Sequence, residues 1–196
     1  MAVCILHLGS NIADRRKNIE TAYEQIEKEI GKITKKSKLY QTAPWGNKTQ
    51  DKFLNSAILT ISTLNPFEIL QKINSIEKTL GRRKKTKWGP RIIDIDIIFY
   101  DDLILQSEFL NIPHPHYNDR NFVLLPLFEI IPFYKDPISS KTITQLTREC
   151  TDKSKVELYL NWTCRKTASI PFLPLEITVT YTVHSAILSL GFIPKG

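Results

Sequence analysis

IIDIDIIFY, residues 92–100, is rich in β-branched side chains and reads as a strand. Asp94 and Asp96 stand two apart, so a strand turns both carboxylates to one face. Ile93, Ile95 and Ile97 then fill the opposite face, which the pattern assigns to a core. Just upstream, RRKKTKWGPR (82–91) is a basic loop that contains glycine and proline. The helix before it opens at Asn65-Pro66, with proline at its tolerated first position. Phe67, Ile69, Leu70, Ile73, Ile76 and Leu80 give that helix an apolar face, and Gly81 ends it. Phe53 to Thr63 reads as a second long strand. Thr42 to Asp51, with Pro44, Gly46 and Asn47, carries loop chemistry. Ile33 to Tyr40 is a short strand. Asp14 to Ile30 is a helix, with Ile19, Ala22, Tyr23, Ile26 and Ile30 at helical spacing, Asp14 as N-cap and Gly31 as stop. VCILHLG (3–9) is a buried strand that halts at Gly-Ser-Asn.

Downstream, Asp101-Asp102 turns the chain towards a short strand, LIL (103–105). IPHPHY (112–117) is a proline-punctuated loop, Asp119 to Phe128 a short helix, and proline-rich coil follows. The order β-α-β-β-α-β matches an α+β fold: a ferredoxin-like antiparallel sheet with helices packed on it. The 196 residues suit one domain with a full core plus a short appendage. Charge thins after about Val156. The expected division is therefore a domain over residues 1–158 and an unassigned C-terminal extension over 159–196. Ile177 to Ile193 has no full charge, but Thr, Ser, Tyr and His interrupt it, which argues against a membrane span. Cys4, Cys150 and Cys164 are odd in number and lack zinc spacing. No signal peptide is read at the start of the chain, so a reducing cytoplasm is expected.

The net charge of +7 permits nucleic acid, anionic membrane or phosphorylated small molecules as partners. The placement of charge discriminates among them. Paired carboxylates on a strand suit magnesium, which takes a few carboxylate oxygens plus phosphate oxygens and water. They also suit the solvent side of an edge strand carrying two unrelated charges. Arg82, Arg83, Lys84, Lys85, Lys87 and Arg91 precede them with no acid between. Such a run is commonly a solvated face. Here it leads into the acidic strand, and cations beside metal-binding carboxylates are what a polyphosphate needs. There is no GxxxxGK[ST] and no protein-kinase motif set.

GRRKKTKWGPRIIDIDII (81–98) closely resembles the signature of the 6-hydroxymethyl-7,8-dihydropterin pyrophosphokinase family. LGSN (8–11), LYQTAPWG (39–46), FLN (53–55) and IPHPHYNDRNFVLLPLFEI (112–130) agree in order and spacing. The resemblance spans about residues 1–158 and implies a ferredoxin-like fold. It implies that Asp94 and Asp96 bind two magnesium ions, and that Arg82 and Arg91 act on phosphate. Thr42, Pro44, Trp45, Phe53, Asn55 and Phe122 would form the pterin site, with Phe53 and Phe122 sandwiching the ring. Lys84, Trp88, Arg91, Ile97, His114 and Arg120 would lie on the ATP side. Lys84 and Lys87 stand where the family commonly has arginine, which keeps charge and loses bidentate geometry.

The implied reaction moves the β,γ-diphosphate of ATP to the pterin hydroxymethyl group and releases AMP, in folate biosynthesis. Other folate-pathway enzymes are the implied partners, with no nucleic acid and no membrane. The competing readings are a nucleic-acid-binding module, which lacks the expected sheet motif, and an inactive relative that binds pterin or nucleotide.

Overall fold

The computed structural model describes residues 1–44, 50–82 and 89–159. Trp45, Lys84, Lys87, Trp88 and all but the first residue of the expected extension lie outside them.

Strand β1 (Ala2–Ser10) is the centre of the sheet, paired antiparallel with β4 (Phe53–Ser62) on one side and β5 (Asp94–Tyr100) on the other. β2 (Gly31–Lys36) and β3 (Tyr40–Thr42) both pair with the far side of β4, and β8 (Val156–Leu158) pairs with β3. Within the sheet, β5-β1-β4-β2 is the ferredoxin-like arrangement expected from the sequence, and β3 and β8 extend the sheet from the same side of β4. The expected strand over 33–40 divides into β2 and β3. β6 (Leu105–Gln106) and β7 (Asn111–Ile112) form a separate small hairpin beyond β5.

Helices cover both faces. α1 (Arg15–Glu29) starts where the Asp14 side chain accepts from the Lys17 amide at 3.0 Å. α2 (Pro66–Thr79) starts with a capping box, Asn65 and Glu68 each bonding the other's backbone. Ile19, Ile26, Ile69, Ile73 and Ile76 of these helices pack on Leu6, Leu8, Ile58, Ile95 and Ile97 of the sheet. Each such side chain, fully buried, stabilises by about 1.5–3 kcal/mol. The other face carries α3 (Asn121–Ile130) and α4 (Ile143–Glu149), with Val123, Leu124, Leu127, Ile143 and Leu146 on Ile5, Ala57, Ile98 and Phe99. A bulge where β5 meets β1 lets Ile98 and Phe99 both reach this second core.

α4 falls in the stretch expected to be proline-rich coil, and that coil ends at Thr142. The helix starts with a second capping box, Thr142 with Gln145. No described helix is long and apolar enough to cross a membrane.

Candidate active site

Register places the chemistry. Directly paired residues of antiparallel strands share a face. Asp94 pairs with Gly9, which pairs with Asn55; Asp96 pairs with His7; Thr42 pairs with Phe53. These side chains therefore gather on one face of the sheet, near the N-terminus of α3. Together with Gln50, Gly89, Arg91, Arg120 and Phe122 they line a cleft that is partly open to solvent.

Arg82 reaches the site through the end of α2. Gly81 has φ +92°, a conformation glycine adopts without strain. The Gly81 amide bonds the Lys78 carbonyl at 3.0 Å and the Arg82 amide bonds the Glu77 carbonyl at 2.9 Å. This is a Schellman ending, and it sets the Arg82 side chain beside its own helix. The guanidinium donates to Glu77 and lies 2.8 Å from Asp94. Arg91 donates to the other oxygen of Asp94. Asp94 is thus shared by two arginines.

Glu77 is almost wholly buried, yet the same oxygen that meets Arg82 accepts the Ile95 amide at 2.8 Å. β5 is an edge strand, and Glu77 satisfies an N–H that faces away from β1. Burial, chiefly, raises the Glu77 carboxyl, against the pull of Arg82. Asp96 is also pushed up, by burial first, then by Asp94 and Glu77, with Arg91 and Arg82 opposing.

Two imidazoles border the carboxylates. His114 Nε2 stands 4.0 Å from Asp96. Burial first, then Arg120, lowers His114 to about 4. Burial likewise lowers His7 to about 4, opposed by its bond to the Phe122 carbonyl and by Asp94, while His114 and Arg120 push the same way as burial. Both rings are neutral at neutral pH.

Asn11 ties the cleft together. Its Oδ1 accepts the Arg91 amide at 2.7 Å, and its Nδ2 donates to Gln50 Oε1 at 3.1 Å and to the Asp51 carbonyl at 3.4 Å. On the opposite side, buried Asn55 donates to Thr42 Oγ1 at 2.9 Å.

The structure brings together Thr42, Phe53, Asn55, Arg91, Asp94, Asp96, Arg120 and Phe122 at the cleft, with Arg82 and His114 touching its carboxylates. Pro44 does not line it; its neighbour Ala43 does. Ile97 departs from its expected place on the ATP side. Its side chain is 4% exposed and sits in the core beneath α1 and α2, because a strand sends odd and even positions to opposite faces. His7, Gln50 and Glu77 were not singled out from the sequence, and Asn11 entered only as the last residue of LGSN, with no role given to it. His7 lay hidden in an apolar run, and Gln50 and Glu77 lack a local signal.

A profile of the family described as 7,8-dihydro-6-hydroxymethylpterin-pyrophosphokinase (HPPK) matches residues 5–132. The chain belongs to this family. A similar HPPK relative is the 2-amino-4-hydroxy-6-hydroxymethyldihydropteridine pyrophosphokinase of Aquifex aeolicus (strain VF5), 41% identical over 153 residues, covering 78% of this chain and 95% of the relative. The protein of the same name from Bacillus subtilis (strain 168) is 36% identical over 161 residues, covering 81% and 96%. Among solved structures, a Plasmodium falciparum HPPK-DHPS triple mutant with STZ-DHP superposes with a TM-score of 0.64 at 21% identity, covering 75% of this chain. That likeness shows the shared fold, and this chain spans 43% of that longer protein.

Proposed function

We propose that the chain transfers the β,γ-diphosphate of ATP to the hydroxymethyl group of 6-hydroxymethyl-7,8-dihydropterin, giving AMP and the pterin diphosphate. The observation that carries this is the division of the cleft. Phe53 and Phe122, with Asn55 and Thr42 beside them, suit a flat ring with a polar edge. Asp94 and Asp96, flanked by Arg82 and Arg91, suit a polyphosphate.

Two same-face carboxylates fit magnesium that arrives with nucleotide, because phosphate oxygens and water complete its shell. Among the described residues no group of three or more His, Cys, Asp or Glu could form a closed protein cage. Asp94 and Asp96 are the residues that would hold the metal, two ions in our reading. Magnesium there would draw charge from the phosphate oxygens.

The chain's own groups do the rest. Phe53 and Phe122 hold the ring, and Asn55 reads its edge. The hydroxymethyl oxygen bonds to the β-phosphorus, and the bond from that phosphorus to the α,β-bridging oxygen breaks. AMP leaves with the bridging oxygen, and the hydroxyl proton passes to solvent. Arg82 and Arg91 exchange part of their hold on Asp94 for the phosphate oxygens as negative charge gathers there. His7 and His114, both neutral, add no charge beside the carboxylates.

A folate-pathway setting is supported by relatives in which such a domain is one part of a larger protein. The FolKE protein of Lactococcus lactis subsp. lactis (strain IL1403) is 45% identical over 132 residues, 38% of its length. An enzyme of that pathway is the partner we propose. The free, buried thiols of Cys4 and Cys150 suit a reducing cytoplasm.

The test is a product assay with ATP, magnesium and 6-hydroxymethyl-7,8-dihydropterin, separating AMP from ADP. Pterin- and magnesium-dependent AMP is expected. Folded protein that releases no AMP would overturn the reading.

A further inference from the structure

Phe122 lies in the first turn of α3, and Pro126 lies inside the same helix. An α-helix satisfies the carbonyl of residue i with the N–H of residue i+4. For Phe122 that residue is Pro126, which has no N–H to give. The helix ladder therefore lacks its usual donor at the residue whose ring faces the cleft.

β1 supplies a donor. His7 is 4% exposed, and its Nε2 lies 3.2 Å from the Phe122 carbonyl oxygen. A carbonyl only accepts, so the imidazole donates. The ring also packs against the Phe122 ring, with centroids 5.9 Å apart and planes at 55°. His7 thus grips Phe122 at both its backbone and its side chain. It is held by pairing to both β4 and β5, opposite Ala57 and Asp96, so it is a rigid support.

We propose that His7 is a positioning residue for the aromatic part of the cleft, replacing the hydrogen bond that Pro126 denies to Phe122. The inference rests on the reading of Phe122 as a pterin-stacking residue. A loose first turn of α3 would let that ring wander, and pterin affinity would fall while nucleotide affinity held.

The experiment measures the Kd of 6-hydroxymethyl-7,8-dihydropterin by fluorescence in the presence of α,β-methylene ATP, and the Kd of that analogue separately. His7→Leu removes the donor and should weaken pterin binding about tenfold, equivalent to about 1.4 kcal/mol, with the analogue's Kd unchanged. His7→Gln keeps an N–H donor and should stay within about threefold of wild type, below 1 kcal/mol. Pro126→Ala restores a backbone N–H at residue 126. In that background His7→Leu should bind pterin as well as His7 does. Wild-type pterin affinity in His7→Leu, or no rescue by Pro126→Ala, overturns the proposal. If His7→Leu does not fold, the two Pro126→Ala chains still decide it: equal pterin affinities support it and unequal ones overturn it. Phe122→Ala separates the layers. If it leaves pterin binding intact, the stacking reading falls; if it weakens binding and His7→Leu does not, the role of His7 falls by itself.

Discussion

Replacing Glu77 with leucine should loosen the junction between α2 and β5, and the structure supplies the magnitude. One Glu77 oxygen accepts both the Arg82 guanidinium and the Ile95 amide, the latter at 2.8 Å. Leucine removes both bonds. The buried Ile95 N–H, on an edge strand, would then lose its acceptor, at a cost of about 1–3 kcal/mol. Arg82 keeps Asp94 at 2.8 Å, so its own loss is smaller. The added apolar side chain returns part of the difference, leaving a net destabilisation of about 2 kcal/mol. For a domain of this size that lowers Tm by about 4–8 °C. Glutamine keeps the accepting oxygen and gives up only the charge, which burial disfavours. Glu77→Gln should therefore stay within about 1 kcal/mol of wild type. Thermal and urea unfolding of the three proteins at one pH is the assay. Equal stability of the leucine and glutamine variants would refute the assignment of that oxygen as the structural acceptor.

The same carboxyl gives a pH signature. Its folded-state pKa is raised above the ordinary 4.5, so the stability it contributes is present below that value and lost as pH rises. Urea titrations should show wild type losing ground to Glu77→Gln as pH climbs above 4.5. Asp96→Asn should lower AMP formation by about a hundredfold or more at saturating magnesium, with a melting temperature at neutral pH no lower than that of wild type, because the charge that burial, Asp94 and Glu77 disfavour is gone. Asn55→Leu should raise the pterin Kd about tenfold or more, since the ring edge and Thr42 both lose the amide; an unchanged Kd would remove Asn55 from the pterin site. Gly31→Ala should destabilise by about 1–3 kcal/mol in chemical denaturation, because a Cβ there would meet the Ile61 carbonyl oxygen at 2.2 Å.

Alternation and capping made much of this molecule legible. The Asp94/Asp96 and Ile95/Ile97 pattern told the two faces of β5 apart, and the caps at Asp14 and Asn65 marked two helix starts. α4 was missed because it has only seven residues and follows a proline-rich stretch, although Thr142 and Gln145 announced it. The split of β2 from β3 was missed because nothing in the composition at Ser37 to Leu39 breaks a strand. Site residues were legible where chemistry is local, as in Arg91 with Asp94 three positions on. Glu77 and His7 were not, because each works through a partner distant in sequence: Ile95 for one, Phe122 for the other. A buried glutamate on a helix reads as solvated surface until the strand that needs its oxygen is in place.

Asn11 has a consequence for how the protein acquires activity. A single amide joins the end of β1 to chain 40 and 80 residues away. Closing loops of that length is entropically unfavourable until other contacts reward it. The catalytic surface therefore has no early, local precursor during folding. In a refolding time course, AMP-forming capacity should return only as β5 joins β1, trailing the helical signal of α1 and α2, and a nascent chain ending before Tyr100 should have a folded-looking helix layer and no turnover.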